Sequence, residues 1–364
     1  MKILTLLILL PTVAFCQNFS SDDFNPTRLD SVVYKIPFSA SDFEKSHLPF
    51  SKIEILDLRF DTSKLGFIID RITKNTSFND FKKLKLASGI APEIQRFYNE
   101  YFKHCFTESD DKLLIVLKRL WINYAPSNPG DRKRYDFIEE SVQNIYTKFE
   151  YYMHRGEFYY PLFRKEKTYQ LSGDSIKEKN NDLSFFRNTL IASIKNEDFS
   201  SFFAKAGSGK KMIRSEIDSF NAKRLMIPSL LATKFNQGVF LNSLEFINNE
   251  PSVKEFKKNQ KGKLISIGEK KAGYMVYFAF ADENGIHIKD SKNSQLFRIN
   301  NCFEFLSEEV FYFPKSAVEV FLDAIPAPQS IYGMQIPQNM TSSQTKIKVI
   351  FVPRQLDMET GEVY

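Results

Sequence analysis

The chain has 364 residues, of which 43% are hydrophobic and 26% are charged, and this balance excludes a largely disordered protein. Its formal net charge is +6, but no nucleic-acid recognition motif accompanies the basic clusters, so we expect no nucleic-acid partner. The 36 phenylalanines and 16 tyrosines supply large apolar side chains for a core, and the length allows two ordinary domains.

The N-terminal segment has the pattern of a secretory signal. Lys2 gives a positive start, an apolar run follows over 3–10, and small residues occupy the minus-three and minus-one positions at Ala14 and Cys16. The run is too short to cross a hydrocarbon layer of about 30 Å. We therefore predict that residues 1–16 are a signal peptide and that the mature chain is exported, to the periplasm or beyond.

Cys16 leaves two processing routes open. Cleavage after it gives a soluble chain beginning at Gln17, whereas cleavage before it gives a lipid-modified cysteine and an outer-membrane-associated protein. The lipid-attachment pattern has a small residue before the cysteine, and Phe15 is bulky. The soluble form is therefore favoured, and membrane attachment is expected only if Cys16 is lipidated.

The next predicted elements belong to an α/β domain over 50–204. An irregular arm over 17–49 precedes it, because prolines interrupt any regular element there. A strand is predicted at 52–60, a helix after Pro92 and a strand at 112–124. Residues 137–164 fit a helix or a hairpin, and their density of Tyr, Phe, Thr and Ile favours a hairpin that turns at Arg155-Gly156.

The second half is predicted to be strand-rich. The small polar segment 205–211 is a linker and not a phosphate-binding loop, because it lacks the first glycine and the hydroxyl residue of that motif. A helix and then several strands follow over 212–325, and a Pro-rich tail over 326–364 ends with a strand. The expected fold class is α+β (mixed α/β), with an N-terminal mixed sheet and helices and a strand-rich C-terminal domain.

Alternation along the first strand places Asp57, Arg59 and Asp61 on one side. Two carboxylates around one guanidinium form a row of structural ion pairs, which is the favoured interpretation. Asp57 and Asp61 are also the first residues to consider for catalysis. Arg59 between them argues against acid–base or metal chemistry, because it repels cations and lowers the pKa of both carboxyl groups.

Aromatic and arginine residues on the predicted hairpin form the candidate ligand surface. Tyrosine and arginine are favoured contact residues because they combine large area with a polar group. The alternative is an aromatic ladder packed within a sheet, and ordinary cross-strand pairing favours it. The residues concerned are Tyr151, Tyr152, Arg155, Tyr159, Tyr160 and Arg164.

Cys105 and Cys302 remain after export, and an oxidising compartment permits a disulfide between them. Two buried thiols are the favoured alternative, because spacing alone does not establish proximity. No metal or cofactor is expected. The histidines lack zinc-binding spacing, and the chain has no Gly-x-Ser-x-Gly nucleophile motif.

Basic residues are concentrated in short clusters, among them those at 254–263 and 270–271. Such runs mostly form solvated surface, which is the favoured interpretation. Attraction to an anionic lipid or an acidic glycan is the alternative.

Three segments carry a resemblance: 57–66 (DLRFDTSKLG), 238–246 (GVFLNSLEF) and 249–252 (NEPS). In these the chain resembles exported proteins of Bacteroidota-type bacteria that have no assigned activity. The resemblance implies an envelope setting and a two-part build, and it carries over no catalytic residues. The expected function is a non-enzymatic binding or assembly module for an envelope protein or glycan. The alternatives are a hydrolase or transferase acting on an envelope polymer, and a membrane-tethered structural lipoprotein; the oligomeric state stays open.

Overall fold

The computed structural model describes residues 26–36, 47–69, 81–125, 142–172, 183–260, 262–289, 294–313 and 346–363. The predicted signal peptide at 1–16, its Cys16, and the Pro-rich stretch at 326–337 lie outside the described residues. The predicted α+β fold class is confirmed, with a mixed sheet and helices in the N-terminal half and an antiparallel sheet in the C-terminal half.

The N-terminal half is built on a mixed seven-stranded sheet with the order β1-β4-β3-β5-β6-β7, in which β2 also pairs with β5. β2 and β3 lie along one edge of β5, because β2 pairs with residues 113–117 and β3 with residues 122–124. The loop at 58–65 therefore lies beside the middle of β5. The strands are β1 (Ser31–Tyr34), β2 (Ile53–Asp57), β3 (Gly66–Ile69), β4 (Phe81–Leu86), β5 (Lys112–Ala125), β6 (Val142–Arg155) and β7 (Phe158–Ser172).

Three helices cover one face of this sheet and enclose the largest core: α1 (Ile90–Tyr101), α2 (Ser184–Lys195) and α3 (Phe199–Ala206). In α1 the buried residues Ile94, Phe97, Tyr98 and Tyr101 recur every three or four positions, which puts them on the face toward the sheet. A fourth helix, α4 (Arg214–Arg224), packs on the opposite face, where its Ile217 is buried.

The C-terminal half contains a six-stranded antiparallel sheet with the order β16-β15-β14-β13-β12-β8 and a small three-stranded sheet with the order β11-β10-β9. Two short helices, α5 (Pro228–Leu231) and α6 (Ser243–Asn248), pack in this half. The strands are β8 (Gly238–Phe240), β9 (Phe256–Lys258), β10 (Leu264–Ile267), β11 (Lys270–Lys271), β12 (Ala279–Asp282), β13 (Gly285–Ile288), β14 (Gln295–Ile299), β15 (Cys302–Phe313) and β16 (Lys346–Leu356).

Several predicted elements are present and three details need correction. The hairpin predicted within 137–164 is formed by β6 and β7, but its two-residue turn is Gly156-Glu157 and not the predicted Arg155-Gly156, because Arg155 is still in β6 and pairs with Phe158. The predicted irregular arm is wrong at Ser31–Tyr34, which pairs in parallel with β4. The first strand was predicted to run to residue 60, but β2 ends at Asp57.

A β-bulge in β5 changes which side chains face the helices. The register against β6 shifts between Leu117 and Arg119. Leu117 and Leu120 both belong to the helix-covered core, so the two residues between them, Lys118 and Arg119, fall outside that core. Two basic side chains therefore lie next to each other. Lys118 contacts Asn221 of α4, and Arg119 pairs with Asp357, which follows β16.

Candidate functional site

The loop at 58–65 meets the start of β15 and the end of β16 in a buried polar group, here named the junction cluster: Asp61, Lys64, Cys302, Glu304 and Gln355. The Lys64 Nζ atom lies 2.5 Å from Asp61 Oδ2 and 2.6 Å from Glu304 Oε1. The side chains of Lys64 and Glu304 are only 2% and 0% exposed. A lysine and two carboxylates thus meet where water has almost no access.

Asp61 is held as a carboxylate by several donors. Its Oδ1 atom accepts hydrogen bonds from Ser63 N at 2.9 Å, Ser63 Oγ at 2.7 Å and Asn300 Nδ2 at 2.8 Å. Burial by itself raises the pKa of Asp61, but the Lys64 ammonium and the Ser63 donors bring this pKa below its usual value. Asp61 is therefore the more acidic of the two carboxyl groups.

Glu304 has the opposite environment. Burial raises its pKa above the usual value, although Lys64 opposes the shift. Its Oε1 atom accepts from Gln355 Nε2 at 3.3 Å, whereas Oε2 has no hydrogen-bond partner in the described part of the chain. One buried carboxyl oxygen thus lacks the donor that a charged carboxylate requires.

The Cys302 thiol belongs to the junction cluster, but its neighbours do not bring its pKa below the usual value. Gln355 Nε2 lies 2.9 Å from Cys302 Sγ, and burial raises the pKa of the thiol well above its usual value. Cys105 lies in the helix-covered core and Cys302 in the C-terminal core. The disulfide that the spacing allowed between them is therefore not formed, and both cysteines are buried as thiols.

Asp61, Cys302 and Glu304 also have the composition of a metal site, with ligand atoms within 4.8 Å of one another. The Lys64 ammonium already lies against both carboxylates. A metal cation placed there would be repelled by this charge. The arrangement suits chemistry between the lysine and the carboxyl groups better than it suits a metal.

The predicted row of Asp57, Arg59 and Asp61 is only partly formed. Arg59 makes a two-point ion pair with Asp57, at 2.8 Å and 2.9 Å. Its Nη1 atom donates to the carbonyl oxygens of Lys64 and Leu120. Asp61 pairs with Lys64 and not with Arg59, because β2 ends at Asp57 and strand alternation stops there. Asp57 and Arg59 therefore shape the loop that carries Asp61 and Lys64.

The candidate ligand surface on the hairpin is split between the two faces of the sheet. Tyr151 is fully buried under the helices and stacks on Phe163 with ring centroids 4.3 Å apart, and Tyr160 packs against the same core. Tyr152 and Tyr159 belong to the core on the other face. The arrangement matches the packed aromatic ladder.

The two arginines of that surface contact different carboxylates and do not form a common site. Arg155 is engaged by Asp111 through a pair of hydrogen bonds at 2.5 Å and 2.6 Å. Arg164 is half exposed and lies 3.7 Å from Glu166. The structure therefore does not bring the six residues together in one pocket.

A second candidate site lies on the small sheet. An open groove of about 690 Å³, here named the lysine groove, has a mainly apolar floor. Its lining is formed by Lys257, Leu264, Ile265, Ser266, Lys271, Gly273 and Tyr274. Tyr274 is 87% exposed, and Val276, two positions further along the chain, is 84% exposed.

The side-chain amines of Lys257 and Lys271, which line this groove, make no hydrogen bond or ion pair with any residue that the structure describes. Lys258 on the same strand, by contrast, is bound by Asp282 and Glu283. Between residues 254 and 274 the chain has seven lysines and two glutamates. The groove therefore presents uncompensated positive charge beside an exposed aromatic ring.

A third polar group surrounds Lys118 on the face away from α1–α3. The Lys118 ammonium contacts Asn221 of α4 and lies 3.4 Å from Glu150. Burial, reinforced by the nearby Arg224 charge, lowers the pKa of Lys118 to about 8. Its amine is therefore partly neutral in mildly alkaline solution.

Sequence reasoning missed Lys64, Glu304 and Gln355, because these residues come from distant segments. Asp61 and Lys64 three positions apart before an apolar strand were the only local signal. The lysine clusters at 254–263 and 270–271 were noticed in the sequence, but the exposure of Tyr274 was not predictable from its neighbours.

No protein family, curated protein or solved structure matches the chain. Among the helices of the described residues, none is long and apolar enough to span a membrane.

Proposed function

We propose that this chain is an exported, non-enzymatic binding module of the cell envelope, and that it binds an acidic glycan in the lysine groove. The observation that carries the proposal is that one open groove holds an exposed tyrosine and two lysines whose amines have no acidic partner among the described residues. A sugar ring offers a flat, partly apolar face to Tyr274, and its carboxylates offer partners to Lys257 and Lys271.

The chemistry of the groove supports a polymer more than a small ligand. The groove is open, and further lysines with exposed side chains, such as Lys263 and Lys270, extend its positive charge beyond the lining. A chain of acidic sugars would contact these lysines in succession and gain affinity at each one. The half-exposed Ile265 side chain adds apolar contact area without competing charge.

The described carboxylate clusters support a binding role more than catalysis. Asp57 is occupied by Arg59, and Asp61 by Lys64, Ser63 and Asn300. Both carboxylates are nearly inaccessible to a polymer, because their side chains are 10% and 2% exposed. An acid–base pair for polymer cleavage needs carboxyl groups that reach the substrate.

The test is affinity electrophoresis of the mature chain in gels containing polygalacturonate, with neutral dextran as the reference. We expect polygalacturonate to retard the wild-type chain and added salt to weaken the effect. The variant Lys257→Gln/Lys271→Gln should bind about tenfold more weakly, because each exposed charge pair contributes up to about 1 kcal/mol. Tyr274→Ser should weaken binding without changing its salt dependence.

Lys205→Gln/Lys210→Gln is the matched control, because both lysines are exposed and lie outside the groove. It has the same net charge as the groove variant and should bind like the wild type. Equal retardation of the two double variants would contradict a site in the lysine groove. Binding to anionic lipid vesicles without retardation by polygalacturonate would contradict the glycan as the ligand.

Export is tested separately, by mass spectrometry of the N-terminus of the chain recovered from cells. A chain that begins at Gln17 supports the soluble exported form. A lipid on Cys16 would replace it with the tethered form, and an intact N-terminus in the cytoplasm would contradict export.

A further inference from the structure

We propose that Lys64 and Glu304 become joined by an intramolecular isopeptide bond, which covalently ties the loop at 58–65 to β15. The Lys64 Nζ atom lies 2.6 Å from Glu304 Oε1. Because a carboxyl carbon lies about 1.2 Å from its oxygen, Nζ is within about 4 Å of Glu304 Cδ. The nucleophile and the electrophilic carbon are thus held close to reacting distance before any bond forms.

The surroundings of Lys64 exclude the competing solvent. Its side chain is 2% exposed, and Nζ lies 5.4 Å and 5.8 Å from the ring centroids of Phe67 and Trp121. Burial raises the pKa of Glu304 and favours its neutral acid, whereas the pKa of Lys64 is raised against the effect of burial by Glu304 and Asp61, so Lys64 rests as an ammonium. Lys64 must therefore pass a proton to Asp61 before its amine can condense with Glu304 to an amide.

Hydrogen bonding gives the two carboxyl groups different roles. Asp61 Oδ2 lies 2.5 Å from Lys64 Nζ, so position makes Asp61 the carboxylate that takes a proton from the ammonium, and the three hydrogen bonds to its Oδ1 atom fix its orientation. Glu304 Oε2 has no partner among the described residues, which suits the oxygen that leaves. Gln355 donates to Glu304 Oε1 and polarises the carbonyl that is attacked.

The atoms balance without an oxidant or a co-reactant. Glu304 begins as the neutral acid with its proton on Oε2, and the Lys64 ammonium begins with three protons, of which the first passes to Asp61. The amine nitrogen then attacks Glu304 Cδ, the N–Cδ bond forms, and the Cδ–Oε2 bond breaks. The second proton leaves with the Glu304 hydroxyl as water, and the third remains on the amide nitrogen. Asp61 keeps the proton that it takes from Nζ, 2.5 Å away, so the charges balance as well: the positive charge of Lys64 and the negative charge of Asp61 both disappear.

The product satisfies the site better than the ion pair does. A buried ion pair requires both charges to be removed from water, and amide formation eliminates both of them. The nitrogen that becomes the amide N–H lies 2.5 Å from Asp61 Oδ2, and the carboxyl oxygen that becomes the amide oxygen already accepts from Gln355. The bond also closes the chain between residues 64 and 304, which restricts the unfolded state as a disulfide does.

The experiment is intact-protein mass spectrometry of the purified full chain, followed by peptide mapping. We expect the folded wild type to be one water lighter than its sequence, and a branched peptide to link Lys64 to Glu304. Lys64→Met should have its full sequence mass. Asp61→Asn is nearly isosteric, so it should fold, as circular dichroism would check, and still have its full mass because the base is lost.

Lys148→Met is the matched control, since Lys148 is another buried lysine paired with a glutamate. It should remain one water lighter than its sequence. A folded wild type with its full sequence mass would overturn the proposal, and so would a water loss that maps to any other pair of residues. Neither result depends on whether the lysine groove binds a glycan.

Discussion

The Glu359 carboxylate lies against the Lys148 ammonium of β6, although 211 residues separate the two in the chain. The same carboxylate accepts from Arg224 of α4. These two cations, Arg224 first, overcome the opposing effect of burial and lower the pKa of Glu359 to about 2. The segment after β16 thus holds the N-terminal sheet and α4 to the C-terminal half.

Glu359→Gln should lower the free energy of unfolding at pH 7 by about 1–2 kcal/mol, after allowance for solvent screening. The pKa of Glu359 is lowered in the folded state, so its contribution is complete above the ordinary value of 4.5 and is lost as the pH falls toward about 2. Urea unfolding at several pH values would measure this. The difference from the wild type should shrink below pH 4.5.

Glu362→Gln is the matched control, because Glu362 is an exposed residue of the same segment with no ion pair among the described residues. It should leave the unfolding free energy nearly unchanged at every pH. An equal loss of stability in both variants would show that Lys148 and Arg224 do not stabilise the fold through Glu359.

The lowered pKa of Lys118 makes the free energy of unfolding depend on pH in the alkaline range instead of the acidic range. Its pKa falls from 10.5 in the unfolded chain to about 8 in the fold, chiefly because of burial. The folded state therefore binds fewer protons between these values, and this group makes stability rise as the pH increases from about 8 to 10.5. In Lys118→Met that rise should be missing, whereas the exposed Lys223→Met should keep it. Urea unfolding in this pH range decides between them.

Local patterns in the sequence predicted the elements that depend on neighbouring residues. The predicted helix near Pro92 and the hairpin are both present, with the turn one residue later than predicted, because helical periodicity and a two-residue turn are set within a few positions. The strand-rich second half follows from the same kind of alternation. These elements account for the α+β class.

The junction cluster was beyond such reasoning, because its geometry depends on where strands end and meet. Strand alternation would place Asp61 on the same side as Arg59 only if the strand continued past Asp57, but the strand ends there. Glu304 reaches Lys64 only because β15 crosses the loop at 58–65 in the fold. A local pattern holds no information about a contact between segments so far apart in sequence.

The reactivity of the two cysteines tests whether each thiol is buried in its own hydrophobic core. Cys105 and Cys302 are each 1% exposed, and neither is in a disulfide. An alkylating reagent should therefore label neither residue in the native protein and both after unfolding in guanidinium, as peptide mapping would show. A disulfide between them, or rapid labelling of Cys302 in the native protein, would contradict the packing around β15.

Gly66 tests how closely β3 approaches β5. Its φ is +148°, and an added Cβ would lie 1.9 Å from the carbonyl oxygen of Ile122, a backbone atom held by the sheet. Gly66→Ala should therefore lower the free energy of unfolding by about 3 kcal/mol or more, because neither strand can move without breaking the backbone hydrogen bonds of the sheet.

Gly268→Ala is the matched control: its φ is +56°, but an added Cβ would meet nothing within 4 Å. This variant should cost only about 1 kcal/mol, from the left-handed backbone alone. Thermal unfolding compares the two, and equal losses would mean that the separation of β3 and β5 adjusts freely. A large loss confined to Gly66 would instead show that this contact fixes the loop that carries Asp61 and Lys64.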